Sequence, residues 1–189
     1  MINYNYHLDI LLIGDSLTGK TSFFNWICKN KYYNTYTSTV GVDYYSDFKF
    51  LNDDVIKINI RDSGNICQTL LENYVKLSDI IIMFINMNSG ESQSYVVHKL
   101  KLKCFENKKI YIFGNIYHSE SISLNIDLTI ALYNYNLKIV TIDIKNGKIQ
   151  IFKFYDDLIK WSRDLNLLKS SSIVENKNYI NIFKFIGLI

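Results

Sequence analysis

Apolar and polar positions alternate along this chain with two different periods, and the switching between them outlines a fold. "HLDILLI" at 7–13 is a nearly unbroken apolar run and predicts a buried strand, followed by a helix in "SFFNWICKN" at 22–30. A hairpin is predicted in "KFLNDDVIKINI": Phe48 and Phe50 alternate with Lys49, and Ile56, Ile58 and Ile60 alternate with Lys57 and Asn59. Asn52, Asp53 and Asp54 supply its turn. "DIIIMFIN" and "KKIYIFGN" are continuous apolar runs of the kind that suit central parallel strands covered on both faces, and "LKIVTIDI" adds another strand.

Helical stripes fall between these strands. Val96, Leu100 and Cys104 recur every four residues, with Lys99, Lys101 and Lys103 turned largely away. Leu124, Leu128 and Leu132 form a second stripe. Phe154, Leu158, Trp161, Leu165 and Leu168 alternate steps of four and three, as on a docked amphipathic helix. Strands alternating with helices predict an α/β domain with a mostly parallel sheet and helices on both faces. No linker or repeat interrupts it, and 189 residues suit one domain.

Composition changes this picture little. A formal net charge of +3 is too mild to point to nucleic acid. Cys28, Cys67 and Cys104 are widely spaced and odd in number, which suggests neither a disulfide framework nor a zinc site and implies a reducing, cytoplasmic setting. No signal peptide is expected, because Asp9 interrupts the only early apolar run.

The chemistry is concentrated between the first strand and helix. Gly14, four residues, then Gly19-Lys20-Thr21 gives the spacing G-x-x-x-x-G-K-S/T. Glycines let successive backbone N–H groups turn towards phosphate oxygens, the lysine adds a positive charge, and the threonine hydroxyl can hold Mg²⁺ at a helix N-terminus. Two further residues follow in order. Thr39 stands nineteen positions after Lys20, and Asp62 closes the strand "IKINI", where a carboxylate can approach the metal.

At this point the chain resembles the Ras superfamily of small GTPases, and its Rab branch in particular. "GDSLTGKTSF" is similar to the Rab phosphate loop and "STVGVDYY" to the Rab first switch, and the resemblance runs over about residues 7–168. It implies a Ras-like P-loop NTPase fold with a six-stranded sheet over residues 1–169, followed by a tail at 170–189. It also implies Mg²⁺ with GTP or GDP as ligand. Asp15, Ser16, Leu17, Thr18, Gly19, Lys20, Thr21 and Ser22 would cradle the phosphates, with Lys20 on the outer ones. Thr21, Thr39 and Asp62 would hold the metal. Tyr32 would stand against the base, Tyr36 would close over the phosphates, and Asn115, Ile144 and Lys145 would serve the base-binding loops.

The departures from the family carry equal weight. Asn65 stands where D-x-x-G has its glycine, which has moved to Gly64, and asparagine is expected to keep the turn through its tolerance of positive φ. Ile66 replaces the water-orienting glutamine, so no catalytic residue is assigned and intrinsic hydrolysis is expected to be slow. Leu17 replaces a small residue and would crowd the loop. Arg61 replaces the Rab tryptophan, altering the surface that partners read, and two residues are missing from the second switch.

Where N-K-x-D reads guanine, this chain has Asn115, Ile116, Tyr117 and His118; guanine and adenine nucleotides are therefore expected to bind within about tenfold of each other. The Ile144 backbone is left to greet a base carbonyl, and Glu120 or Asp143 is the carboxylate that would take over if guanine were still read.

No cysteine follows Cys104, so prenylation is not expected. Eight of the last eleven residues are apolar, and the tail is expected to pack on the domain or make peripheral contact with a membrane or partner. Two functions stay open: a Rab-like switch in membrane traffic or signalling, read by effectors and regulators at its two switch regions, and a pseudo-GTPase interaction module that binds nucleotide without turnover or not at all. A phosphate-loop kinase or ATPase of another family is the weaker third, since only Arg61 and Arg163 exist to stabilise a transition state.

Overall fold

Strand β1 (Tyr6–Gly14) has six consecutive buried residues, Leu8 to Ile13, and such a run requires cover on both faces. The computed structural model, which describes residues 3–117 and 124–170 with side chains up to 163, places β1 at the middle of a six-stranded sheet. The strands are β2 (Val42–Leu51), β3 (Asp54–Ser63), β4 (Ile80–Asn86), β5 (Lys109–Asn115) and β6 (Ile139–Ile142), in the order β2-β3-β1-β4-β5-β6. Only β2 runs antiparallel, paired to β3 by a hairpin in which Leu51 faces Asp54 and Asn52 takes a left-handed φ of 56°. This is the expected fold class. Phe50, on the edge strand, is 71% exposed, so the alternation there does not mark a covered face.

Helices α1 (Lys20–Lys29) and α5 (Lys148–Ser170) cover one face of the sheet; α2 (Gln68–Leu77), α3 (Gly90–Leu100) and α4 (Ile126–Asn134) cover the other. The period of two decides which side chain goes where. Leu8, Ile10 and Leu12 join Phe23, Phe154 and Leu158, while Leu11 and Ile13 join Leu71, Val96 and Leu128. Phe23 of α1 meets Phe84 and Phe113 edge-on, each at 5.4 Å between centroids. These contacts fix the start of α1 against the sheet and thereby the loop that precedes it; truncating a phenylalanine so placed costs about 3–5 kcal/mol.

Two helix limits differ from the sequence pattern. Cys104 lies in a short 3-10 helix, Lys103–Phe105, because α3 has ended at Leu100 and Leu102 is extended. Leu124 precedes α4 and is 43% exposed, because the Asn125 side chain accepts a hydrogen bond from the Leu128 N–H (2.7 Å) and caps the helix after it.

All five parallel strands end at the same edge of the sheet, at Gly14, Ser63, Asn86, Asn115 and Ile142. The loops that follow them gather there, where ligands bind in sheets of this type. Among the described residues no helix is long and apolar enough to cross a membrane. The apolar tail lies outside the described residues.

Candidate functional site

The loop between β1 and α1 wraps around the lysine that follows it. Lys20 is buried, and its Nζ donates to the carbonyls of Gly14 (2.9 Å) and Asp15 (2.7 Å). Burial pushes its pKa down, and Asp62 and Asp15 partly offset this. Thr18 Oγ1 donates to the Asp15 carbonyl (2.8 Å), tightening the loop. Gly19 has φ 97°, and a Cβ there would strike the Ile144 side chain and come within 2.9 Å of Asn115 Nδ2. Only glycine allows so close an approach. Leu17 does not fill the cradle: its side chain is 57% exposed, and its cost is a left-handed backbone at φ 60°, about 1–2 kcal/mol.

Three oxygens meet beneath this loop. Thr21 Oγ1 donates to Asp62 Oδ2 (2.6 Å) and lies 3.1 Å from Thr39 Oγ1. Asp62 is fully buried, and its Oδ1 has no hydrogen-bond partner among the described residues. Burial pushes its pKa up, opposed by the Thr21 hydrogen bond and by Lys20. An orphaned carboxylate oxygen beside two hydroxyls fits a hard divalent cation such as Mg²⁺, which takes one or two carboxylates from protein and completes its shell with water and phosphate. The described residues hold no cluster of three or more His, Cys, Asp or Glu side chains suited to a metal.

The displaced glycine of "DSGN" has a structural reason. The Gly64 N–H donates to the Gly41 carbonyl (2.9 Å), and a Cβ on Gly64 would collide with the Thr39 carbonyl. Gly64 thus lets the loop after β3 lie against the segment that carries Thr39. Asn65 is exposed and is not among the residues with positive φ, so the turn does not rely on the conformation expected of it. Ile66 packs partly into the core under α2 and α3 and offers the site no polar atom.

A cavity of about 360 Å³ opens over the loop. It brings together Asp15 to Ser22, Tyr32, Tyr36 and Thr39, with Asp62 reached from below through Thr21. Tyr32 stacks on Trp26, with centroids 6.1 Å apart.

Asn115, Ile144 and Lys145 do not line the cavity. Asn115 Oδ1 accepts the Ile144 N–H (3.1 Å), Trp26 Nε1 donates to the Ile144 carbonyl (2.8 Å), and the Lys145 N–H is donated to Asp143 Oδ1 (2.9 Å). The Ile144 amide expected to be open to a base is already engaged. Asp143 is bonded on both oxygens, since its Oδ2 accepts from Asn146 Nδ2 (2.7 Å), and each oxygen keeps one further lone pair. His118 and Glu120 lie outside the described residues.

Among the cavity-lining side chains that the sequence reading missed are Tyr95 and Lys99 of α3, and Tyr117. Lys99 Nζ donates to Gln68 Oε1 (3.1 Å), and the Tyr117 hydroxyl donates to the Leu17 carbonyl (2.6 Å). An aromatic residue two positions after Asn115 was the one local signal for Tyr117.

A family model described as "Ras of Complex, Roc, domain of DAPkinase" matches residues 9–117. Among curated proteins the chain is similar to the Ras-related protein Rab-3 of Caenorhabditis elegans, at 28% identity over 118 residues, which are 60% of this chain and 54% of that protein. It is similar also to Ras-related protein Rab-3A of Homo sapiens (28% identity, 60% and 54%) and Rab-3C of Bos taurus (27%, 60% and 52%). The chain spans about half the length of these curated relatives.

Proposed function

Since this chain belongs to the Ras superfamily of small GTPases and is Rab-like within it, we propose that it is a nucleotide-operated switch of intracellular membrane traffic or signalling with slow intrinsic hydrolysis. One observation carries the reading: the orphaned Asp62 Oδ1 beside Thr21 and Thr39, directly below a phosphate loop closed around a buried lysine. Mg²⁺ bound there would neutralise phosphate charge. The N–H groups of residues 15–22 would hold the phosphate oxygens, and Lys20 would move from the Gly14 and Asp15 carbonyls to the outer phosphates. Thr39 and Gly64 would report the bound state, because each sits on a loop the ligand contacts and the two loops touch.

Slow turnover follows from Ile66, which has no group to orient a water. Effectors or regulators would read the surface around Tyr44 and Arg61, and the tail would supply peripheral membrane contact. The pseudo-GTPase reading is favoured by the engaged Asn115–Ile144 pair, in which the Asn115 carbonyl oxygen and the Ile144 N–H are bonded to each other rather than open to a base.

Single-turnover assays with Mg²⁺ and radiolabelled GTP distinguish the two. Hydrolysis at or below the rate of an unassisted small GTPase, rising with a partner fraction, supports the switch. A fast intrinsic rate would show that another residue positions the water.

A further inference from the structure

We infer that Tyr117 is the base platform of this site, stacking on the nucleobase opposite Tyr32 while its hydroxyl ties the platform to the phosphate loop, so that the site takes nucleotides by their aromatic face rather than by their hydrogen-bonding edge. This rests on the nucleotide reading above and names how the base is held.

Three observations carry it. Tyr117 and Tyr32 both line the cavity, and their hydroxyls interact electrostatically. Tyr32 is held in place by its stack on Trp26, and Tyr117 by the 2.6 Å hydrogen bond to the Leu17 carbonyl, a contact spanning one hundred residues of chain. Among the described residues, polar groups on the loops after β5 and β6 are engaged within the protein. Asn115 Oδ1 and the Ile144 N–H bond each other, the Ile116 N–H donates to the Ile142 carbonyl, and the Lys145 N–H and Asn146 amide occupy Asp143.

Edge recognition discriminates strongly because the wrong base leaves buried groups unpaired. Here those described groups are already paired within the protein, so they do not depend on the base for a partner and select weakly between bases. Aromatic faces accept any base, and each stack contributes a modest, sequence-tolerant increment. The hydroxyl tie gives Tyr117 a second consequence: ordering of the phosphate loop around Leu17 positions the ring.

The test is calorimetric titration of the nucleotide-stripped full chain, in Mg²⁺, with GTP, ATP and inorganic triphosphate as a probe lacking a base. The wild-type chain should bind GTP and ATP within about tenfold of each other and both more tightly than triphosphate. Tyr117→Leu should weaken both nucleotides by about tenfold and leave triphosphate within about twofold, while Tyr117→Phe, which keeps the ring, should stay within about threefold for all three. Equal weakening of triphosphate by Tyr117→Leu would make Tyr117 a strut of the phosphate loop and overturn the proposal. So would unchanged nucleotide affinity, or a thousandfold preference for GTP over ATP. If the wild-type chain binds triphosphate but neither nucleotide more tightly, or binds nothing, the nucleotide reading itself fails, and the base platform with it.

Discussion

Replacing Asp62 by asparagine should move stability in opposite directions in the free and the loaded protein. In the free protein Asp62 is fully buried, with one oxygen bonded to Thr21 and the other without a partner. A buried unsatisfied polar group costs roughly 1–3 kcal/mol, and more when charged. Asparagine keeps an acceptor for Thr21 and removes the charge, so Asp62→Asn should stabilise the free protein by about 1–2 kcal/mol. Lys20 opposes this, since it is attracted to Asp62, but its Nζ bonds the Gly14 and Asp15 carbonyls rather than the carboxylate. For a domain of this size each kcal/mol is worth about 2–4 °C, so Tm in EDTA should rise by about 3–6 °C. Mg²⁺-nucleotide at a hundred times Kd should add about 2.7 kcal/mol to the wild type, or about 5–10 °C, and most of that increment should vanish in the variant. Scanning fluorimetry of both proteins, with and without Mg²⁺ and nucleotide, reads all four numbers. A variant that melts more than about 2 °C below wild type in EDTA, or that keeps the full ligand shift, would refute the assignment of Asp62 as a metal-site carboxylate held at a cost.

Gly64→Ala should speed nucleotide release by about tenfold or more in exchange assays, because its Cβ forces the Thr39 segment away; an unchanged rate would mean the two loops do not act together. Arg61→Ala should lower the unfolding free energy by about 2 kcal/mol in urea with an unchanged m-value, since Asp9 loses a 2.5 Å partner but retains Asn59 and His7. A change under about 0.5 kcal/mol would place that pair among surface ion pairs of little consequence. Iodoacetamide at pH 8 should label exposed Cys67 first and leave Cys28 unmodified, because burial pushes the Cys28 thiol up to about 12 and its thiolate forms only as pH approaches that value. Equal labelling by mass spectrometry would show that α1 opens readily.

What the sequence revealed was what local spacing encodes. The phosphate loop is a matter of two glycines and a lysine within eight residues, and a mostly parallel sheet with helices on both faces follows from continuous apolar runs alternating with helical stripes. Thr39 was legible from its spacing after Lys20 and the Rab-like stretch around it, and Asp62 because it closes a strand whose position the pattern already set. The base end was not legible in the same way. The Tyr117–Leu17 tie and the Trp26–Ile144 bond join residues 100 and 118 positions apart, and nothing in the spacing of either partner announces the other. The same holds for the polar strip on β1 and β3, where Asp9 meets Arg61 and Asn59, and Arg61 lies 5.7 Å from the Tyr44 ring and 5.9 Å from that of Tyr74. Read alone, Asp9 is an interruption in an apolar run; paired, it is a buried acceptor with three partners. Gly64 shows a third kind of gap, in which a residue out of register with its family position is explained only by the backbone that passes over it.

If this cradle holds the phosphates of a nucleotide with Mg²⁺, the protein should carry that nucleotide through purification. Denaturing the freshly purified full chain and chromatographing the released small molecules reads its presence. Nucleoside di- or triphosphate should be released at close to one per chain, with guanine and adenine forms both represented, and should be lost when the protein is first dialysed against EDTA. A preparation that releases no nucleotide, and that takes up none when Mg²⁺ and GTP or ATP are added back, would contradict it.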